Sequence, residues 1–130
     1  MFVMTSEEFV KKLIQAANTE SVYATGGWGA SANFNVNRTK YANRTPFNAT
    51  DIRNASKNAF FFDCVCLVKG ILWGWKGDTN DQYGGAVYAS NGVGDYSIKT
   101  INSMCSTYTT DFSKIQAGEW VNIGTEHCGI

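Results

Sequence analysis

Residues 60–75 read FFFDCVCLVKGILWGW, the longest strongly apolar stretch of the chain. From residue 65 onward its apolar residues recur at helical spacing and leave little polar surface: Val65, Leu67, Val68, Ile71, Leu72 and Trp75. Asp63 stands in N-cap position, where a carboxylate accepts hydrogen bonds from free backbone amides. The stretch therefore predicts a buried helix that starts after Asp63. Because Asp63 and Lys69 interrupt it, and because a membrane-spanning helix needs roughly 20 apolar residues, we expect no contact with a membrane.

The first residues of the chain carry the signals of another helix. Thr5-Ser-Glu-Glu8 matches a capping box, in which a side-chain oxygen and a glutamate three positions later satisfy free amides. We therefore expect a helix to begin near residue 6. Its apolar residues are spaced for one face: Phe9, Val10, Leu13, Ile14 and Ala17. We expect this face to pack in the core rather than to bind a ligand.

Residues 24–60 have the composition of a loop. They are mostly Gly, Ala, Ser, Thr, Asn and Arg, with few aliphatic residues and the only proline, Pro46. Four Asn-x-Ser/Thr triplets start at Asn37, Asn43, Asn48 and Asn54. Such triplets are glycosylated only in a secretory pathway, and residues 1–8 show no signal peptide, so we interpret them as turn residues.

The C-terminal third alternates irregular segments with short elements. Its patterns predict a short helix near Ile98 to Cys105, a strand over Trp120 to Ile123, and a second strand from Glu126 to Ile130. A chain of 130 residues is the size of one domain. We therefore expect residues 1–130 to form a single α+β domain.

Charge and cysteine usage narrow the function classes. The chain has 11 Lys plus Arg against 11 Asp plus Glu, with no basic cluster. A nucleic-acid-binding domain normally carries a basic surface, so nucleic acid is not an expected partner. Without a signal peptide we expect synthesis in a cytoplasm and four free thiols rather than disulfides.

Two residue types suggest nucleophilic catalysis. Cys64 lies in the first turn of the predicted buried helix, where the helix dipole and free amides favour a thiolate. The only histidine, His127, is the one imidazole available as a general base. Two other interpretations stay open at this stage. Cys64 and Cys66 can be ordinary buried thiols, and four cysteines with His127 can be compared with a zinc site. The C-x-C spacing and the adjacency of His127 and Cys128 are unlike zinc ligand spacing, so we expect no metal and no cofactor.

Phe62-Asp-Cys-Val-Cys-Leu-Val-Lys69 resembles the Asp-Cys-Ser-Gly-Leu-Val signature of NlpC/P60 peptidoglycan hydrolases, which are papain-like cysteine peptidases. Tyr23-Ala-Thr-Gly-Gly27 is similar to the family's Tyr-x-Trp-Gly-Gly segment. Ile115-Gln-Ala-Gly-Glu-Trp-Val121 resembles its Leu-x-Pro-Gly-Asp-Leu-Val segment, and His127-Cys-Gly-Ile130 resembles His-Val-Gly-Ile. The four segments occur in the family's order over residues 23–130, in a style similar to phage endolysins.

The resemblance implies a fold and a set of roles. It implies N-terminal helices and a nucleophile helix packed on an antiparallel sheet. Cys64 would be the nucleophile, and His127 would act first as general base and then as general acid. Tyr23 and Asp63 would meet substrate beside the thiolate, with Gly26 and Gly27 forming part of the same binding surface. The implied substrate is bacterial peptidoglycan, cut in the stem peptide or at the muramoyl-alanine bond by an enzyme made in the host cytoplasm and released to the wall.

Three departures from the family pattern lead to further expectations. Val65-Cys66 replaces Ser-Gly, and we interpret Cys66 as a packing residue. The 36 positions between Gly27 and Asp63 suggest an inserted Asn-rich loop over residues 28–60, either a wall of the substrate groove or a solvated loop. The family's remaining strands and the residue that orients the histidine would follow Ile130, so we expect a truncated domain with an open sheet edge, suited to pairing in a homodimer. The alternative function is a non-catalytic binding or inhibitory protein on the same scaffold.

Overall fold

A computed structural model describes residues 4–130 of the chain. Five α-helices are present in this part: α1 (Ser6–Ala17), α2 (Asn35–Arg44), α3 (Ala49–Asn54), α4 (Cys64–Leu72) and α5 (Ile98–Met104). Five short strands accompany them: β1 (Ser21–Tyr23), β2 (Trp28–Ser31), β3 (Phe60–Phe62), β4 (Val121–Ile123) and β5 (His127–Gly129). The prediction of a mixed α+β architecture is confirmed.

The strands form two separate sheets. In the first, β3 lies between β1 and β2, parallel to β1 and antiparallel to β2. In the second, β4 and β5 form an antiparallel pair in which Asn122 lies opposite Cys128. The sheet that contains β3 is therefore mixed rather than antiparallel throughout, whereas the β4–β5 pair, which α4 also contacts, is antiparallel. The parallel pair arises because the chain crosses from β1 to β3 through β2, α2 and α3.

Three consecutive phenylalanines in β3 build the core on both faces of the first sheet. Successive strand residues point to opposite faces. Phe61 packs against Tyr41 of α2, with ring centroids 5.8 Å apart, while Phe60 and Phe62 pack edge-on against Trp75 at 5.2 and 5.3 Å. All three phenylalanines are buried. A strand covered on both faces is thus the centre of the fold.

Helix α4 follows β3 directly and lies against β2 and β5. Gly70 permits the contact with β2, because a Cβ there would lie 2.3 Å from the carbonyl oxygen of Trp28. Cys66, Val68 and Ile71 of α4 are buried, so the predicted buried helix is confirmed and Cys66 packs in the interior as expected.

Residues 28–60 do not form the expected loop. They contain β2, α2, α3 and a 3-10 turn over Pro46–Asn48. The polar composition misled the prediction because α2 presents only a narrow face to the core: Asn37, Tyr41 and Ala42 are its buried residues. Asn37 is satisfied there by the carbonyl oxygens of Ser31 and Gln82, at 2.9 and 2.8 Å. Asn37 is therefore part of the buried face of α2. The prediction that all four Asn-x-Ser/Thr triplets are turn residues is wrong.

The remaining element predictions agree closely with the structure. Helix α1 begins at Ser6 with the reciprocal hydrogen bonds of the capping box between Thr5 and Glu8. Helix α5 and strands β4 and β5 lie within the ranges predicted for the C-terminal third. No helix among residues 4–130 is long and apolar enough to cross a membrane.

Candidate functional site

A cavity of about 790 Å³ opens at the N-terminal end of α4 and brings four of the six predicted site residues to one place. Tyr23, Asp63, Cys64 and His127 all line it. A face of α1, strand β5 and the segment 115–118 also line it. The lining is mainly apolar, with the polar groups gathered near Cys64.

The α1 wall corrects the expectation that this helix face serves only the core. Phe9 and Leu13 pack against core residues, but Ile14 is 55% exposed and lines the cavity with Val10, Leu13 and Ala17. The helical spacing placed these residues on one face correctly. Whether a face meets the core or an open cavity depends on the opposite wall, which sequence periodicity does not reveal.

Cys64 is the first residue of α4 and is partly exposed to the cavity. Asp63 sets its position. One carboxylate oxygen of Asp63 accepts the amide of Cys66 at 2.7 Å, and the other accepts the amide of Gly26 at 2.7 Å. The amide of Asp63 in turn donates to the carbonyl oxygen of Gly27 at 2.9 Å. The start of the helix is thereby tied to the turn that follows β1.

Gly26 and Gly27 shape this turn rather than line the large cavity. Gly26 adopts a left-handed conformation with φ of +77°, which favours glycine. A Cβ on Gly27 would lie 2.7 Å from the carbonyl oxygen of Phe61. Both glycines are needed for the backbone to approach β3 and Asp63, whereas a role in substrate binding stays a prediction.

Tyr23 ends β1 beside the thiol and is 47% exposed. Partial burial, followed by the nearby Asp63 and Cys64, raises the pKa of its phenol. The hydroxyl therefore stays protonated at neutral pH and is able to donate a hydrogen bond to a group in the cavity. Asn48 anchors the backbone at this point, because its side-chain amide donates to the carbonyl oxygen of Tyr23 at 2.9 Å.

The surroundings of His127 differ from those expected of a general base beside Cys64. His127 begins β5 and is exposed, and its imidazole makes no hydrogen bond with any other described residue. Its neighbour Cys128 is 5% exposed and lies beside Cys64. Burial, followed by the adjacent Cys64 thiol, raises the pKa of Cys128, so this second thiol is neutral. The sequence analysis considered Cys128 only as a zinc ligand. It did not predict that Cys128 lines the site beside Cys64.

Within residues 4–130, no three His, Cys, Asp or Glu side chains are grouped so that they could hold a metal ion. All four cysteines are free thiols there.

Comparison with known proteins identifies no relative of this chain. The chain matches no protein-family model, no curated protein and no solved structure.

Proposed function

We propose that this chain is a cysteine amidase or endopeptidase that cleaves bacterial peptidoglycan, with Cys64 as the nucleophile. The observation that carries the proposal is the position of Cys64 at the N-terminal end of a buried helix, open to a cavity that the only histidine also lines. The substrate class comes from the resemblance of four ordered segments to NlpC/P60 hydrolases. The same resemblance supports a papain-like arrangement of α4 against the β4–β5 pair, in a protein of the phage endolysin type.

The reaction would form and then break one covalent bond to the enzyme. His127 takes the proton of the Cys64 thiol, and the sulfur attacks the carbonyl carbon of the amide. The amide nitrogen leaves with that proton, and an acyl group remains on Cys64. Water then attacks the acyl carbon and gives a proton to His127. The carbon–sulfur bond breaks, the carboxylic acid is released, and His127 returns the proton to the Cys64 sulfur.

Charge develops on the carbonyl oxygen in both halves of this reaction. Cys64 begins α4 and lines the cavity together with Tyr23, so the backbone amides of the first turn and the Tyr23 hydroxyl are the donors available to this oxygen. Donors already oriented toward a developing oxyanion lower the barrier because they need no reorganisation. Asp63 contributes by holding the first turn of α4 in position.

The direct test is mass spectrometry of the fragments released from purified peptidoglycan. We expect the 130-residue chain to release stem peptides or to create new amino termini, and Cys64→Ala to release none. Cys105→Ala is the matched control, since Cys105 is an exposed thiol at the C-terminal end of α5 and does not line the cavity. Equal release by the parent chain and Cys64→Ala would contradict the proposal.

A second candidate function is wall binding without catalysis. It is favoured by one observation: the buried side chain that β5 places beside Cys64 is Cys128, while the His127 imidazole has no orienting partner among residues 4–130. Free imidazole lacks control of its tautomer and orientation. Sedimentation with insoluble peptidoglycan separates the two functions. A binder remains bound without releasing fragments and is unaffected by Cys64→Ala.

A further inference from the structure

A second cavity, of about 440 Å³, lies on the other side of the hydrogen bond between Gly26 and Asp63. Gly26 belongs to its wall, whereas Asp63 belongs to the wall of the large cavity. The other residues that decide its chemistry are Trp28, Lys40, Arg44, Tyr88 and Asp95. This smaller cavity is therefore a neighbour of the Cys64 site, and α2 supplies its charged side.

The cavity carries an excess of positive charge. Lys40 and Arg44 lie one turn apart on α2, and neither forms an ion pair within residues 4–130. The single carboxylate of the cavity, Asp95, is already engaged by Lys69 and by the Tyr88 hydroxyl, the latter at 2.9 Å. Two cations are thus left without a counter-charge at the edge of one concave surface.

Lys40 has a hydrogen-bond partner, and the exposed Arg44 lies against the Tyr41 ring and Gly26. The Lys40 ammonium lies 3.3 Å from the Tyr83 hydroxyl and 5.1 Å from the centre of the Tyr41 ring. The Arg44 guanidinium lies 6.0 Å from the same Tyr41 ring, and its Nη1 is beside Gly26, 3.3 Å from the point where a Cβ would be. A side chain larger than glycine at position 26 would therefore crowd the guanidinium.

An aromatic surface completes the cavity. Trp28 stacks on Tyr83 with ring centroids 4.0 Å apart and planes inclined by 7°, and Tyr88 lies 5.9 Å away. The Cys66 thiol at the bottom adds no charge, because burial raises its pKa to about 12. A ligand that fits this surface has an anionic group for the cations and an apolar part for the indole.

We propose that this second cavity binds a carboxylate of an acidic peptide, with the carboxylate between Lys40 and Arg44 and the adjoining chain against Trp28. Arg44 is suited to this role because a guanidinium holds a carboxylate with two parallel hydrogen bonds. Binding of the carboxylate does not require the Cys64 thiol. Only the assignment of the peptide to a cell-wall stem, whose glutamyl residue bears a free carboxylate beside the cleavable amides, rests on the proposed function.

Calorimetric titration with L-alanyl-γ-D-glutamyl-L-lysine tests this assignment. The protein is the Cys64→Ala chain, so that binding is measured without hydrolysis and is independent of the activity test above. We expect Arg44→Gln in this background to weaken binding by about ten-fold, the effect of losing a charge-assisted hydrogen-bonded pair. Arg53→Gln, the same change in the last turn of α3 and away from the cavity, is expected to leave the affinity unchanged.

Two further ligands test whether the glutamyl carboxylate and the peptide chain are each recognised. The same tripeptide with its glutamyl carboxylate converted to an amide is expected to bind about ten-fold more weakly than the free acid to the chain with Arg44 intact, and equally weakly to Arg44→Gln. Equal affinity for acid and amide would overturn the assignment to the glutamyl carboxylate, and the absence of tripeptide binding to the Cys64→Ala chain would overturn the proposal. Glutarate binding as tightly as the tripeptide would overturn the assignment to a peptide.

Discussion

The central sheet with α4 and the C-terminal β4–β5 pair differ in how they are held. All three residues of β3 are buried, and α4 lies directly on β2. In the β4–β5 pair, Cys128 is the one buried strand residue. The candidate nucleophile therefore belongs to a helix in which no residue is exposed, and the candidate base is an exposed residue of β5. Substitutions of buried residues in the first region are therefore expected to change stability more than substitutions of exposed residues in the second.

The largest effect is expected on activity at His127, where a substitution should lower the rate of hydrolysis without changing the stability of the fold. His127→Ala is expected to lower the rate of peptidoglycan hydrolysis by roughly 10³-fold, equivalent to about 4 kcal/mol, because no other imidazole is present to transfer the proton. The free energy of unfolding should change by less than about 0.5 kcal/mol, because the side chain is exposed. Wall hydrolysis assays and urea denaturation measure the two quantities. Glu126→Ala is the control, and hydrolysis that survives His127→Ala would exclude this residue as the base.

Substitution of two glycines, one in each region, compares how tightly the two regions are packed. Gly70→Ala is expected to lower the free energy of unfolding by about 3 kcal/mol, because its Cβ would overlap the Trp28 carbonyl and push α4 away from β2. Gly129→Ala in β5 should change it by less than about 0.5 kcal/mol, since no atom lies within 4 Å of the added Cβ. Urea denaturation of both variants gives the comparison. A similar loss in both would show that the two regions are held equally firmly.

A pair of helix caps compares the central region with the periphery. Asp63→Ala is expected to cost about 2 kcal/mol, because the carboxylate accepts both the Cys66 and the Gly26 amides. Thr5→Ala, which removes a cap at the exposed start of α1, is expected to cost about 1 kcal/mol. Thermal denaturation ranks the two changes. An equal loss would mean that the link from Asp63 to Gly26 adds nothing beyond capping.

The smallest predicted effect is the pH-dependent contribution of Asp95 to the free energy of unfolding. The hydrogen bond from Lys69 lowers the pKa of Asp95, outweighing partial burial. A carboxylate with a lowered pKa stabilises the fold above its unfolded pKa of about 3.9, and this contribution disappears as the pH falls through the lowered value. We expect Asp95→Asn to cost about 1 kcal/mol at pH 7, because Asp95 is half exposed. The difference from the parent chain should shrink as the pH of the denaturation experiment falls below about 3.9 and through the lowered pKa, and a constant difference over this range would contradict the ion-pair account.

Local patterns in the sequence predicted those elements whose signals are local. The capping box placed the start of α1, and the apolar run after Asp63 placed α4. The same patterns failed for residues 28–60, because α2 is stabilised by long-range contacts of Asn37 and Tyr41 rather than by an apolar face of its own. The second cavity was missed for a related reason, since Lys40 and Arg44 are ordinary surface residues until α2 is placed beside Trp28 and Tyr88.

The sequence by itself determined the helix that begins at Cys64, the carboxylate that caps it and the single imidazole, because caps, helical spacing and residue counts act over a few neighbouring positions. Only the tertiary structure decided that α1 forms a wall of the large cavity, that Cys128 rather than His127 is buried beside Cys64, and that two cations of α2 face an aromatic surface. Those outcomes depend on which distant segments pack together, and packing of this kind follows from the summed burial and hydrogen bonding of the whole chain.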